Sequence, residues 1–281
     1  MSALENKTIV VTGASRGIGR SIALAAAQRG ANIVIAAKTA EPHPKFSGTI
    51  FSVAGEVEAL GARCLPLQVD VRDHQQVFDL IRKAADYFGG VDVVINNAAA
   101  ISLTTVEQTR PAVFDRMMNT NVRAAYMTAH AALPFLKKSA HAHILSLAPP
   151  LNMDIRWFAS HGPYTVSKYA MTMLNMGMAA EFKPFGIGVN CLWPKTLVAT
   201  AAIEFALADR DAFHYCRTPD IVADAAIHIL EQSPQKCSGN TFLDEQVLRD
   251  AGVSDFSRYV ENPAMANQVK ADIFLDDFTG L

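Results

Sequence analysis

The feature that most constrains the fold is a glycine-rich loop between a short strand pattern and a helix pattern near the N-terminus. The run TIVVT (8–12) is apolar and β-branched, and GIGRSIALAAAQRG (17–30) carries its apolar residues on one helical face. The loop between them, with the start of the helix, holds Gly13, Gly17 and Gly19. Glycine lets a backbone approach an anion closely, and the free amides at a helix start then face that anion. The loop therefore predicts a phosphate site, in preference to a simple turn.

Strand and helix patterns alternate along most of the chain. Strands are predicted at 8–12, 32–38, 63–70, 91–97, 141–147, 187–193 and 240–244, and helices at 17–30, 49–61, 74–90, 111–137 and 162–182. We expect Thr109 to cap the fourth of these helices. The alternation predicts an α/β fold, a Rossmann-type doubly wound parallel sheet of about seven strands in a single domain (1–281). Residues 7–244 form its expected core, and 245–281 an extension packed on that core or on a neighbouring subunit.

Composition excludes several classes of protein. The chain has 281 residues and a formal net charge of −2, which does not favour binding to nucleic acid. Its apolar runs are too short to cross a membrane, and no secretory signal or peroxisomal address is visible. The four cysteines show no metal-ligand spacing and are typical of buried thiols in a reducing compartment. We expect a cytoplasmic protein that binds no metal and no membrane.

The end of the second predicted strand bears on the choice of nucleotide. In dinucleotide sites an acidic residue at this position binds the ribose hydroxyls, but here the sequence is Ala36-Ala37-Lys38. Lys38, with Arg16 of the glycine loop, would suit a 2′-phosphate, so NADP is favoured over NAD. The alternative is that both are ordinary solvated charges.

Two further strand ends carry polar residues that could contact the nucleotide. Asp70 and Val71 follow the third strand, where an adenine contact and a turn-forming Asp are both reasonable. Asn97 ends the fourth strand and could tie loops together or touch the ribose.

A tyrosine and a lysine stand four residues apart in the segment HGPYTVSKYAM (161–171). The spacing puts Tyr164 and Lys168 on one helix face. A cation near a phenol lowers its pKa from about 10, which makes proton transfer effective at neutral pH. This pattern alone is common on surface helices, but with the glycine loop upstream it predicts a proton-transfer pair.

The segments TGASRGIG, INNA, NTNV and YTVSK, in this order and spacing, resemble the short-chain dehydrogenase/reductase superfamily. Four others, ANIVIAAKTAEPHPK, APPLNM, LWPKT and FLDE, narrow the resemblance to one subgroup. The resemblance implies an NAD(P)-dependent oxidoreductase in which Tyr164 is the general acid/base, Lys168 holds the nicotinamide ribose and Asn121 anchors a water. Thr196 would lie near the nicotinamide carboxamide. The implied phosphate-binding residues are Gly13, Ser15, Arg16, Gly17, Ile18 and Gly19.

The sequence departs from the superfamily pattern at the catalytic serine. That position falls at Ala148 or Pro149, and neither side chain can donate a hydrogen bond. Ser146 points to the same side of the strand as Ala148 and could supply the hydroxyl, or it could be a plain strand serine. Asn152 is a second candidate donor. The missing serine motivates an alternative function, a cofactor-binding protein with little turnover.

The remaining predictions concern substrate and partners. The segment VATAAIEFALADR (198–210), at the place of a mobile substrate lid, is apolar at Ile203, Phe205 and Leu207. It suggests a small apolar alcohol or carbonyl compound as substrate. The long apolar helices predicted at 111–137 and 162–182 would suit a homodimer or homotetramer.

Overall fold

The central element is a parallel sheet. The structure, a computed structural model, describes residues 2–44, 47–201, 203–204 and 211–276. Within these residues seven strands pair in the order β3-β2-β1-β4-β5-β6-β7, every pair parallel. The strands are β1 (Thr8–Thr12), β2 (Asn32–Ala37), β3 (Cys64–Gln68), β4 (Val93–Asn96), β5 (His143–Leu147), β6 (Gly188–Trp193) and β7 (Thr241–Leu243). The strand order reverses between β1 and β4, which confirms the predicted doubly wound sheet and places a crevice at their carboxyl ends.

Helices cover both faces of this sheet. They are α1 (Gly17–Gln28), α2 (Ile50–Ala59), α3 (His74–Phe88), α4 (Pro111–Met117), α5 (Ala124–Leu136), α6 (Ile155–Phe182), α7 (Asp220–Leu230) and α8 (Asp244–Asp250). Ile22 of α1 and Ile227 of α7 belong to the apolar cluster on one face. Leu80 of α3 and Phe182 of α6 belong to the cluster on the other face. The central strands are therefore buried on both sides, which explains their continuous apolar runs.

Local signals fix the ends of α3. The side chain of Asp73 accepts hydrogen bonds from the backbone N–H groups of Gln75 and Gln76. Gly89 ends the helix with φ +90°, a left-handed conformation that favours glycine. The predicted helix 74–90 is thus observed with a boundary shift of two residues.

The fourth predicted helix is interrupted. A π-helical segment, Met118–Arg123, joins α4 to α5, so the single helix expected over 111–137 contains a wider turn. The predicted cap at Thr109 was wrong: Arg110 is the N-cap residue, and the Thr109 hydroxyl instead donates to the carbonyl of Thr105 at 2.7 Å. π-Turns often occur at functional sites, and this one contains Asn121.

Helix α6 begins seven residues before the predicted start at 162. Asp154 accepts a hydrogen bond from the backbone N–H of Arg156 at 3.0 Å and caps a first segment. The path is kinked at His161 (φ −151°, ψ 42°), two residues before Pro163. Gly162-Pro163 is typical of a helix start, so the sequence pattern concealed the turns that precede it.

The C-terminal region folds back over the core of the same chain. After α8 the chain passes through two 3₁₀ turns, Ser257–Tyr259 and Pro263–Gln268. Ile273, Phe274 and Leu275 then bury their side chains. The end of the described chain therefore packs on the domain itself.

Two further properties concern the described ranges alone. No helix in them combines the length and apolarity needed to cross a bilayer. Nor do these residues include a cluster of three or more His, Cys, Asp or Glu side chains with the arrangement of a metal site.

Candidate active site

A cavity of about 720 Å³ opens at the carboxyl ends of the strands. Most of the residues predicted from the sequence meet there: Gly13, Ser15, Arg16, Gly17, Ile18, Lys38, Asp70, Val71, Asn97, Tyr164 and Lys168. Four predicted residues that the structure also describes, Gly19, Asn121, Ser146 and Thr196, do not line it. The cavity therefore joins the glycine loop to the tyrosine–lysine pair in one continuous space.

Two glycines allow the glycine loop to pack closely on the end of β4. Gly13 has φ +68°, and a Cβ there would lie 2.8 Å from the Cα of Ala98. A Cβ on Gly19 would lie 2.4 Å from the side-chain nitrogen of Asn97. That nitrogen donates to the carbonyls of Thr12 and Gly13 at 2.9 and 3.2 Å. Asn97 thus ties the loops after β1 and β4 together, one of the two roles considered for it.

The first turn of α1 presents backbone donors to the cavity. Among the described residues no side chain caps this helix, whose N-cap residue is Arg16. The first amides of a helix lack intrahelical partners, and they carry the positive end of the helix dipole. Ser15, Gly17 and Ile18 line the cavity beside them. This arrangement fits the pyrophosphate of a dinucleotide.

Cations stand where β2 ends. The Arg16 guanidinium donates to the carbonyls of Ser47 and Gly48 at 3.0 and 3.1 Å, which fixes it beside the loop after β2. Lys38 lies 3.5 Å from Asp70 and keeps 61% of its side chain exposed. Strand β2 ends at Ala37, where an acidic residue that binds the ribose hydroxyls would otherwise stand. The surroundings of this strand end therefore suit an additional phosphate.

Asp70 is held by its neighbour along the chain. Arg72 donates to both carboxylate oxygens, at 2.6 Å from its Nη2. These hydrogen bonds, with the charge of Lys38, hold the pKa of Asp70 well below its usual range. Its carboxylate stays charged at neutral pH beside Val71 in the cavity wall.

Lys168 is a buried cation at the centre of the site. Its Nζ donates to the carbonyl of Leu147 at the end of β5 and lies 5.0 Å from the centroid of the Trp193 ring. Burial lowers the pKa of Lys168 to about 8, and the neighbouring Cys191 and Asp272 groups oppose this shift. The ammonium form therefore still predominates at neutral pH.

The pKa of Tyr164 is shifted in the direction opposite to the one predicted from the sequence. Its pKa is raised well above the ordinary value by burial and by the nearby carboxylate of Asp272. The sequence predicted a lowered pKa from Lys168, but the phenol is 4% exposed, and the cost of burying a phenolate dominates. Helix spacing shows that two groups share a face; it does not show how much water reaches them. The phenol is protonated at neutral pH in this structure.

Asn121 connects the site to α6 from within the π-helical segment. Its side chain accepts from the backbone N–H of Ala100 at 2.8 Å and donates to that residue's carbonyl at 2.9 Å. It also donates to the Ser167 hydroxyl at 2.9 Å. The amide is fully buried and holds together the loop after β4 and the helix that carries Tyr164 and Lys168.

Ser146 lies away from the cavity, contrary to its proposed catalytic place. Its hydroxyl donates to Asn175 at 2.9 Å and accepts from Asn96 at 3.2 Å. The residue is completely buried between β5 and α6. Strand periodicity placed it on the same side as Ala148, but that side faces the interior. Asn152, the second candidate, donates to Asp276 at 2.9 Å and does not line the cavity either.

Thr196 follows β6 and has an unsatisfied hydroxyl. Within the described part of the chain its buried Oγ1 has no hydrogen-bond partner. Buried hydroxyls are usually paired, so an unpaired one is unusual. Thr196 is 7% exposed and does not line the cavity.

Sequence reasoning missed the lining residues supplied by the C-terminal region. Asp272 and Ile273 line the cavity with Tyr164 and Lys168. Trp193, at the end of β6, was also missed. No motif or periodicity marks 245–276, so nothing local indicated that its last residues reach the site. Of the predicted lid, Thr200, Ala201 and Ile203 line the cavity, while Phe205 and Leu207 fall outside the described residues.

This combination of fold and site defines the class of protein to which the chain belongs. A family model described as short chain dehydrogenase matches residues 7–210, and the chain belongs to that family, whose members are NAD(P)-dependent oxidoreductases.

More specific similarities cover nearly the whole chain. Hydroxysteroid dehydrogenase-like protein 2 from Homo sapiens is 49% identical over 271 residues, which are 96% of this chain and 64% of that protein. The chain thus spans less than two thirds of the length of this curated relative. A protein from Xanthomonas campestris with a known crystal structure is 42% identical to this chain. The two structures superpose with a TM-score of 0.93, and the match covers 97% of this chain and 99% of that protein's chain. A short chain dehydrogenase from Mycobacterium thermoresistibile, 39% identical, has a TM-score of 0.91 and covers 99% and 100%.

Proposed function

We propose that this protein is an NADP-dependent oxidoreductase that interconverts an apolar alcohol and its ketone or aldehyde. The observation that carries the proposal is the single cavity that joins the first turn of α1 to Tyr164 and Lys168. A dinucleotide needs an anion site and a reaction site within one crevice, and this arrangement supplies both.

Groups on four loops would hold the nucleotide at one end of the cavity. The amides at the start of α1 bind the pyrophosphate. Lys38, with Arg16 beside it, binds a 2′-phosphate, and Asp70 and Val71 border the adenine. Thr196, whose buried hydroxyl has no partner among the described residues, would lie near the nicotinamide carboxamide. Each group was expected from the sequence. The places of Lys38, Arg16, Asp70 and Val71 in the cavity wall support their assignments, whereas Thr196 does not line the cavity.

At the reaction end of the cavity, residues of the chain hold and transfer a proton. A bound nicotinamide would supply or accept the hydride. Tyr164 holds its proton at neutral pH because burial raises the phenol pKa, so it donates that proton to the oxygen of a carbonyl substrate. Lys168 keeps a positive charge beneath it and binds the ribose. Asn121 positions their helix through Ser167, next to Lys168, and we retain the expectation that it anchors a water.

The substrate end of the cavity is apolar. Residues from four parts of the chain give it aliphatic walls: Ile101, Leu103, Leu197, Val198, Ile203 and Ile273. Such walls favour an alkyl chain or an alicyclic ring over a charged substrate.

The experiment is a fluorescence titration with NADPH and NADH, followed by turnover of a panel of apolar alcohols and ketones. Purified protein should bind NADPH more tightly and reduce at least one ketone of the panel. Tyr164→Phe should bind the nucleotide normally and lose about 10²-fold or more of the turnover. Tyr87→Phe, at an exposed tyrosine of α3 outside the cavity, serves as the matched control.

A second function rests on the displaced Ser146. Without a hydroxyl donor at 148 or 149, the protein could bind the nucleotide and turn over little, acting as a sensor or scaffold. Equal inactivity of wild type and Tyr164→Phe over the whole panel, with intact nucleotide binding, would favour this alternative.

We infer that the protein forms a homodimer or homotetramer through the outer face of α5 and α6. This face exposes Tyr126, Met173 and Met176. Exposed apolar side chains on these two helices suit a subunit interface. Light scattering in solution measures the mass, and a monomer at micromolar concentration would contradict the inference. The cytoplasm remains our expected location, which subcellular fractionation can test.

A further inference from the structure

The chain segment Asp272–Leu275 forms a turn beside the reaction end of the cavity. It is attached to the loop after β6, where Ala271 pairs with Thr196 in an antiparallel bridge. The backbone N–H of Asp272 donates to the carbonyl of Lys195 at 3.0 Å. The turn thus adds a wall to the site from a part of the sequence far from the other lining residues.

Phe274 holds this turn in place. Its φ of +73° lies in the left-handed region, which is unfavourable for a bulky side chain. The ring is 1% exposed and lies 5.1 to 6.2 Å, between centroids, from the rings of Tyr169, Trp193 and Tyr164. These aromatic contacts offset the strain and fix the direction of the neighbouring residues.

Asp272 projects a carboxyl group into this wall. The residue is 8% exposed and lines the cavity together with Tyr164 and Lys168. Within the described part of the chain its carboxyl accepts one hydrogen bond, from the backbone N–H of Ile273 at 2.7 Å. A carboxyl group offers about four acceptor positions, or one donor and the remaining acceptors when protonated. Most of its capacity is therefore left for a molecule in the cavity.

The surroundings of this carboxyl favour its neutral form near neutral pH. Burial raises the pKa of Asp272 to about 7, assisted by the charge of Asp244 and opposed by Lys168 and the Ile273 N–H. Within the described residues, the Tyr164 phenol and the Cys216 thiol also interact electrostatically with it. A neutral carboxyl is a hydrogen-bond donor, which a carboxylate is not.

We propose that Asp272 is a substrate-binding residue whose neutral carboxyl donates a hydrogen bond to the oxygen of the carbonyl substrate. It would take the part of the hydroxyl that is missing at Ala148 and Pro149. The proposal rests on the proposed function. In the reduction, hydride reaches the carbonyl carbon from the nucleotide, the proton reaches the oxygen from Tyr164, and Asp272 keeps its own proton. Its hydrogen bond strengthens as negative charge develops on that oxygen.

The first test is the pH dependence of ketone reduction in two variants. Wild-type kcat/KM should fall as the pH rises through about 7, since the carboxylate that forms cannot donate. Asp272→Asn stays neutral and keeps a donor, so its kcat/KM should lack this fall and stay within about fivefold of wild type at pH 6. Asp272→Ala should lose about 10²-fold at pH 6. Lys168 titrates in every protein, so the difference between profiles reports on Asp272.

Asp276→Asn is the matched control. It makes the same substitution one residue past the turn, on a side chain that is 94% exposed, and its profile should match wild type. Circular dichroism shows whether each variant is folded. An Asp272→Asn profile that keeps the wild-type fall, or an Asp272→Ala activity within threefold of wild type, would overturn the proposal.

The second test needs no turnover. Calorimetry measures the binding of decan-2-one to the protein saturated with NADP at pH 6. Asp272→Ala should bind this ketone about tenfold more weakly, and Asp272→Asn about as well as wild type. Equal affinities in all three would remove Asp272 from substrate binding even if ketones are reduced. If Asp272→Ala alone loses binding and wild type reduces no ketone of the panel, the proposed function is contradicted, while the assignment of Asp272 to substrate binding is supported.

Discussion

Charge reversal at Lys38 should change which nucleotide the protein prefers. Two unit charges 4 Å apart in water interact by about 1 kcal/mol, and a phosphate monoester carries about −1.5 to −2 charges. Asp70, 3.5 Å from the Lys38 ammonium, already offsets part of that cation, so we assign it about 1 kcal/mol toward a 2′-phosphate. Lys38→Glu removes this attraction and adds a repulsion of similar size, about 2 kcal/mol in total, or roughly 30-fold in Kd.

The assay is a fluorescence titration of Lys38→Glu with NADPH and with NADH at low ionic strength. The Kd for NADPH should rise about 30-fold, while that for NADH changes by less than about threefold, since NADH lacks the 2′-phosphate. Lys83→Glu reverses an exposed lysine on α3 and controls for net charge. Salt should reduce the effect because Lys38 is largely exposed. Equal weakening of both nucleotides, or a change below threefold for NADPH, would refute the argument.

Three further predictions concern stability. Gly19→Ala should destabilise the fold by about 1–3 kcal/mol, because its Cβ would meet Asn97, whereas Gly55→Ala, whose Cβ meets nothing within 4 Å, should not; thermal unfolding compares them. Ser146→Ala should lower the free energy of unfolding by about 1–3 kcal/mol in urea, since the side-chain nitrogen of Asn96 and the side-chain oxygen of Asn175 each lose a buried partner. It should alter kcat/KM by less than threefold; a large catalytic loss would return Ser146 to the site. Burial lowers the pKa of His143 to about 4 from an ordinary 6.5, so the stability that its neutral form contributes is complete above pH 6.5 and is lost as the pH falls toward 4. His143→Gln should therefore lose less stability than wild type over that interval, and parallel curves of unfolding free energy against pH would contradict this.

The sheet and the glycine loop could be predicted because their signals are local. A β-branched run, a glycine cluster and an amphipathic stretch follow one another within residues 8–30, and parallel sheets place the loops after such strands at one edge. Lys38, Asp70 and Asn97 follow strands, so their place at this edge followed from the strand assignments alone.

Depth within the fold could not be predicted. Period-2 alternation placed Ser146 and Ala148 on one side of β5 but did not tell which side meets the cavity. Helix spacing put Lys168 below Tyr164 but did not show that burial raises the phenol pKa. Both errors concern access of water, which depends on packing between segments distant in sequence.

The place of Asp272 is a purely tertiary result. Its segment reaches the site through a bridge to Thr196 and through the aromatic contacts of Phe274. Neither contact leaves a trace in local composition, and the left-handed backbone at Phe274 opposes what its residue type favours.

The most direct measurement of the central claim follows a deuterium atom from NADPH, labelled at the transferring position, into the product of a ketone such as decan-2-one. The account predicts that wild type consumes the labelled nucleotide and forms alcohol one mass unit heavier, with the label on the carbinol carbon. Tyr164→Phe should bind the nucleotide and form this product at least about 10²-fold more slowly. Labelled NADPH that stays unconsumed with every ketone tested, or product formed equally fast without the phenol, would contradict the account.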